Sequence, residues 1–217
     1  MQLSEKRKRI ILYLVAGISL GFLLLTVFVF FVPNSLIDRS FSQEVQEDQN
    51  PLLDSVMTAI SLPGTMPFAP IMVLVTSSLF FVYRYKREAV FTLLTMLSGA
   101  VSTIVKLLVN RPRPSGPLVR VIGKYLNQSF PSGHVLFYVI FFGFVILLMY
   151  QLKAIPGFLR ISLSVISLLL IFAVCISRIY LGAHWFTDVL GGFLLGIVCL
   201  YTLSYFYLKK TQPANQR

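Results

Sequence analysis

The chain has 217 residues, of which 56% are hydrophobic and only 12% are charged, with 19 Phe and 10 Tyr. A soluble domain averages about 25% charged residues, so this composition excludes an ordinary soluble globule, and the aromatic content excludes a disordered coil. The formal net charge of +11 would point to nucleic acid in a soluble protein; in a membrane protein it reports topology instead, because basic loops stay cytoplasmic. The expected fold class is all-α, a single integral membrane bundle of six transmembrane helices spanning residues 1–217, with the lipid bilayer and no nucleic acid as its surroundings.

A basic start, MQLSEKRKRI, precedes an apolar run over 10–32. That run exceeds the roughly 7–15 apolar residues of a cleavable signal, and no small-x-small site follows it. It reads as an uncleaved first span with a cytoplasmic basic flank. Residues 33–66 form a polar, acidic loop carrying Asp38, Glu44, Glu47, Asp48 and Asp54. Ile37, Phe41 and Val45, then Leu52, Leu53, Val56 and Ile60, recur at loosely helical spacing, which predicts short helices on the membrane surface. Further spans are predicted over 67–83, 89–109, 133–149, 159–176 and 185–207. Cys175 and Cys199 lie inside apolar runs and read as structural thiols rather than a disulfide framework. The closing TQPANQR reads as disordered.

With both termini in the cytoplasm, the six spans put 12 of the 19 basic residues on the inner side: Lys6, Arg7, Lys8, Arg9, Arg84, Lys86, Arg87, Lys153, Arg160, Lys209, Lys210 and Arg217. The acidic 33–66 loop falls outside. Seven basic residues break the pattern, five of them in one stretch: Lys106, Arg111, Arg113, Arg120 and Lys124, joined by Arg178 and Arg39. A cationic cluster on the outer face needs a reason, and anion binding supplies one.

The chain has two histidines, and both fall at the outer ends of predicted spans. An isolated histidine there is ordinarily an interfacial residue, but three neighbourhoods change the reading. His184 and Asp188 are four apart at the start of a helix, which predicts one shared face, a carboxylate fixing the imidazole tautomer and a free ring nitrogen able to attack. Gly192 and Gly196 continue that stripe and predict close approach of another helix. Pro131-Ser132-Gly133-His134 opens the fourth span; Ser132 is a natural N-cap, and the first-turn N–H groups, including that of Gly133, face any bound anion. Lys106 leads into KLLVNRPRP, where Arg113 is held between two prolines, and Arg178 follows Ser177. These are the parts for holding and breaking a phosphate ester. Arg111, Arg120 and Lys124 are read as lipid-headgroup contacts.

The segments KLLVNRPRP, PSGH and SRIYLGAHWFTD resemble, in order, the K-x6-RP, PSGH and SR-x5-H-x3-D motifs of the type 2 phosphatidic acid phosphatase superfamily. The match covers residues 106–188 with no departure at any motif position. The short chain is similar to the phosphatidylglycerophosphatase branch. The resemblance implies that His184 is the nucleophile, forming a phosphohistidine, with Asp188 orienting it. His134 would protonate the leaving oxygen and then activate water. Lys106, Arg113, Ser132, Gly133 and Arg178 would cradle the phosphoryl oxygens. No metal or other cofactor is expected, because the cations already neutralise the developing charge, and no protein partner is inferred. The expected activity is hydrolysis of the phosphomonoester of phosphatidylglycerophosphate, with phosphatidic acid a second candidate substrate, on the extracytoplasmic face of the cell membrane. Hydrolysis of undecaprenyl diphosphate is the enzymatic alternative. Phospholipid transport without cleavage is the non-enzymatic one, although it gives His184 and Asp188 no task.

Overall fold

The computed structural model describes residues 5–116, 118–125 and 128–209. The TQPANQR segment, Lys210 and Arg217 lie outside the described residues. Among those described there is no strand, and the elements run α1 (Glu5–Phe31), α2 (Leu36–Val45), α3 (Pro51–Ser61), a 3₁₀ turn (Leu62–Gly64), α4 (Phe68–Val82), α5 (Lys86–Leu94), α6 (Leu97–Val109), α7 (Gly133–Gln151), α8 (Gly157–Tyr180) and α9 (Phe186–Leu208). The protein is an all-helical membrane bundle.

Five helical stretches are long and apolar enough to cross a bilayer: α1, α5 with α6, α7, α8 and α9. The second predicted span is different. Its helix, α4, has 15 residues, about 22 Å at 1.5 Å per residue, and falls short of a hydrocarbon core about 30 Å thick. It qualifies only together with Pro51–Gly64, to which it is joined at a bend of 55°. Only as this bent pair do the two helices reach the length of a sixth span. The third is interrupted as well. At Thr95 and Met96 the backbone changes to i→i+3 bonds, Ser98 N to Thr95 O and Gly99 N to Met96 O, both 3.1 Å. The hydroxyls of Thr92 and Thr95 donate to the carbonyls of Glu88 and Thr92, competing with the helix ladder.

The predicted acidic loop is mostly helix. Ser35 caps α2, accepting from Asp38 N at 3.1 Å, and Asn50 caps α3, accepting from Leu53 N at 2.8 Å. Both helices pack on the bundle, α3 against α8 and α2 against α8 and α9.

The centre of the bundle is α7. Of its most apolar window 61% is buried by protein, against 6% to 22% for the other spans. It packs between α8 and α9. The glycine stripe on α9 makes this possible, as its spacing predicts. A Cβ at Gly192 would lie 2.6 Å from Ser132 O, and one at Gly196 2.7 Å from Val139 Cβ.

The two ends of the bundle differ in chemistry. At one, Arg87 donates to the carbonyls of Tyr207 and Lys209, both at 2.7 Å, closing the C-terminus of α9. The basic start of α1 lies at this end too, because the opposite terminus of α1 leads to Pro33, whose carbonyl accepts from Arg111 Nε at 2.9 Å. Arg111 belongs to the second end, where all three sequence motifs meet.

Candidate active site

Asp188 is the third residue of α9, and its carboxylate turns back over the helix start. Oδ2 accepts from Trp185 N at 2.8 Å and from the Ser129 hydroxyl. Oδ1 takes Arg111 at 2.5 Å. The His184 ring stands beside it, with Nδ1 3.6 Å from Asp188 Oδ2. The expected pair therefore exists, but not on one helix face: His184 precedes the helix, and the capping carboxylate reaches back to it. The other ring nitrogen, Nε2, lies 3.3 Å from an Arg113 terminal nitrogen. His184 is 2% exposed. Burial first, and then Arg113, Arg178 and Lys106, hold its pKa well below the ordinary histidine range, so the imidazole is neutral at neutral pH.

Lys106, Arg113, Arg178, His134 and His184 lie within electrostatic reach of one another, so the structure unites the three motifs. Each cation is held by a neutral acceptor. Lys106 donates to Gln128 O at 2.8 Å, Arg113 to Ala183 O at 2.6 Å, and Arg178 to Ser61 Oγ at 3.0 Å. Tyr125 sits against two of them, its ring centroid 5.6 Å from the Arg113 guanidinium and 5.2 Å from that of Arg178. Asn110, left-handed at φ 49°, ends α6 and turns the chain from Lys106 toward Arg113. Gly182, at φ 64°, has no room for a side chain: a Cβ would lie 2.2 Å from Arg120 O. That contact lets Ile122 N bond Leu181 O at 2.9 Å and docks the arginine-bearing loop onto the turn that carries His184.

Ser132 occupies the N-cap position of α7, but its hydroxyl makes no cap bond. Its backbone N donates to Asp188 O at 2.9 Å instead, tying α7 to α9. The expectation of a capping hydroxyl is thus corrected, and Ser132 Oγ is left buried without a protein partner. The same is true of His134 Nε2, Arg178 Nε and His184 Nδ1. Buried polar atoms ordinarily find partners, so those of Ser132, His134 and Arg178 form a set that suits an oxygen-rich ligand. Gly133 packs against α6, where a Cβ would lie 3.0 Å from Ser102 Oγ.

The roof of the site comes from the 33–66 segment, of which the sequence singles out neither Ser61 nor Gly64 as a site residue. Ser61 Oγ, besides meeting Arg178, is 2.6 Å from Ser177 Oγ. Gly64 lies over His134, so that a Cβ there would be 2.6 Å from the imidazole Cδ2, and Tyr138 Oη donates to Ile60 O at 2.5 Å. Gln46 fastens α2 by donating to Arg120 O and Tyr180 O, at 2.7 and 2.8 Å. Arg120 reaches Asp54 with two nitrogens, at 3.0 and 2.6 Å, so it is a latch on α3 rather than a headgroup contact. Arg111 departs furthest from its sequence reading, being 2% exposed and bonded to two carboxylates. Among the described residues, no group of three or more His, Cys, Asp or Glu is arranged to hold a metal ion.

A membrane-embedded helical bundle with two histidines among three cations suits phosphate-ester chemistry, and comparison with known proteins gives the class. The profile of the PAP2 superfamily matches residues 87–212. Phosphatidylglycerophosphatase B of Bacillus subtilis is 30% identical over 202 residues, covering 90% of this chain and 95% of the relative. The chain belongs to the PAP2 superfamily and is an enzyme of its phosphatase class. Lipid phosphate phosphatase delta of Arabidopsis thaliana is 27% identical over 167 residues, 72% of this chain but only 39% of the plant protein. The crystal structure of a transmembrane PAP2-type phosphatidylglycerolphosphate phosphatase from B. subtilis superposes with a TM-score of 0.79 at 24% identity, covering 92% of this chain and 98% of that one. Aquifex aeolicus LpxE gives a TM-score of 0.62 at 22% identity, covering 80% and 98%; both structures share the fold. A profile of the serpentine 7TM chemoreceptor Srh matches residues 1–113, a stretch dominated by apolar helices that stops before both histidines.

Proposed function

We propose that this protein hydrolyses the phosphomonoester of a membrane lipid, phosphatidylglycerophosphate first and phosphatidic acid second, through a phosphohistidine at His184. The observation that carries the reading is the set of buried, unpartnered polar atoms at Ser132, His134 and Arg178, gathered with Lys106 and Arg113 around the two histidines. A phosphomonoester dianion supplies acceptors for them and a charge opposite to that of the cations. Phosphatidylglycerophosphatase B and lipid phosphate phosphatase delta, the relatives, support this substrate class, as does the position of the site at the ends of apolar helices.

In the first step, neutral His184 attacks phosphorus through Nε2, the phosphorus–oxygen bond to the lipid breaks, and His134, protonated once the phosphate dianion offsets the surrounding cations, gives that proton to the departing alkoxide and becomes neutral. Asp188 stabilises the ring as it becomes cationic. Lys106, Arg113, Arg178, Ser132 and the Gly133 N–H hold the equatorial oxygens, where charge spreads in the transition state. In the second step, water gives a proton to His134 and attacks phosphorus, and inorganic phosphate leaves with His184 restored. No step calls for a metal. Purified protein in mixed micelles should release phosphate from phosphatidylglycerophosphate faster than from phosphatidic acid, and chelator should leave the rate unchanged. Preference for undecaprenyl diphosphate in the same panel would reassign the substrate, and silence toward every lipid would favour a transporter.

We further propose that both termini are cytoplasmic and that the site faces outward. The basic residues at the end of the bundle away from the site support this orientation. After Cys175 and Cys199 are replaced by alanine, a cysteine at exposed Gln49 should react with an impermeant maleimide from outside, and one at exposed Ala154 only after permeabilisation. The reverse pattern would put the site in the cytoplasm.

A further inference from the structure

Behind the site runs a buried chain of charge, of which the mechanism above uses only Asp188. Arg111, Asp38 and Asp188 have side chains fully shielded from solvent. A guanidinium has five N–H donors, and here all five are engaged. Nε and one NH2 proton go to Pro33 O, at 2.9 and 2.8 Å. The other NH2 proton goes to Asp38 Oδ2 at 2.6 Å. The two NH1 protons go to Asp188 Oδ1 at 2.5 Å and Thr187 Oγ1 at 2.7 Å. Asp38 is satisfied from its far side by Thr187 N at 2.8 Å and Ser35 Oγ at 2.7 Å. Arg111 therefore has no donor left for a phosphate, although it lies two residues from Arg113 and its charge is the same.

We propose that Arg111, backed by Asp38, is a positioning residue of the reaction, because it fixes the Asp188 carboxylate against His184 from behind. An unpaired carboxylate in so dry a place is costly. With Arg111 on Oδ1, and Trp185 N and Ser129 on Oδ2, Asp188 has one orientation, which sets Oδ2 3.6 Å from His184 Nδ1. Asp38 in turn prevents the guanidinium from swinging toward the phosphate. The N-terminal segment thereby enters the reaction without touching the substrate.

This inference rests on the roles given above to His184 and Asp188, and those are tested first: phosphate release that is present in the native protein and lost in His184→Ala upholds them. Arg111→Ala should then lower kcat about 100-fold while KM changes less than about threefold, since an orienting contact acts in the transition state rather than in binding. Arg111→Lys should recover part of the loss, as it keeps the charge without the fork. Guanidinium ion at millimolar concentration should restore Arg111→Ala at least tenfold and leave His184→Ala inactive. In a cycle with Asp188→Asn, the Arg111→Ala loss should vanish, because both act through one carboxylate. If Arg111→Ala fails to fold, Asp38→Asn supplies the same readout, with kcat about 10-fold lower at unchanged KM. A rise in KM at constant kcat would make Arg111 a phosphate ligand and overturn the proposal. So would a lower melting temperature with normal kinetics, or losses that add across the cycle.

Discussion

His184→Ala should stop phosphate release altogether, by about 10⁶-fold, the loss typical of an enzyme deprived of its nucleophile. The leaving group should not matter, since every substrate must pass through attack by the same nitrogen. The ring's electrostatics add a second measurable result. The chain has two histidines, so His134→Ala leaves His184 as the only imidazole available to diethyl pyrocarbonate, which reacts with the neutral form. Burial and three cations favour that form. A histidine of ordinary pKa is half protonated near pH 6.5. The carbethoxylation rate of His184 should instead stay level as pH falls through 6.5 and decline only at lower pH. A decline centred at 6.5 would mean that the cations lie further from the ring than the structure has them.

For His134→Ala the loss should depend on the leaving group. An alkoxide departing from a glycerolipid needs its proton in the transition state, and general acid catalysis is typically worth about 10²–10⁴-fold. With p-nitrophenyl phosphate that need largely disappears, so the first step should be nearly native. The second step still lacks its base, and phosphoenzyme should build up. Alkaline quenching during turnover of ³²P-labelled substrate should leave label on His134→Ala and none on His184→Ala. Label on the second and not the first would exchange the two roles.

What the sequence discloses and what it hides divide along the chain's own geometry. His184, Asp188, His134, Lys106, Arg113 and Arg178 stand at spacings that only a turn or a helix end would bring together, so short-range pattern is enough to nominate them. Arg111 is hidden by its neighbour. In RPRP two arginines look alike, and Arg111 is turned to a carboxylate by Asp38, 73 residues before it. The roof residues Ser61 and Gly64 are opaque for the same reason, since their partners Arg178 and His134 come from the other half of the chain. The interrupted third span illustrates another limit. Hydropathy sees 24 apolar-enough residues, whereas the break at Thr95 and Met96 comes from hydroxyls that satisfy backbone carbonyls locally.

The placement of α7 affects how the enzyme tolerates change. The helix that begins at Gly133 and carries His134 meets mostly protein, while α1 meets mostly lipid. Interiors packed by protein are as dense as organic crystals and register the gain or loss of one methylene; acyl chains are fluid and refill whatever shape is offered. Sequence drift should therefore be cheap on α1 and expensive on α7, even though the two read as equally greasy. A membrane that thins, thickens or changes its lipids pushes first on the outer helices, and the histidine at the head of α7 is suspended from a core that behaves like that of a soluble protein.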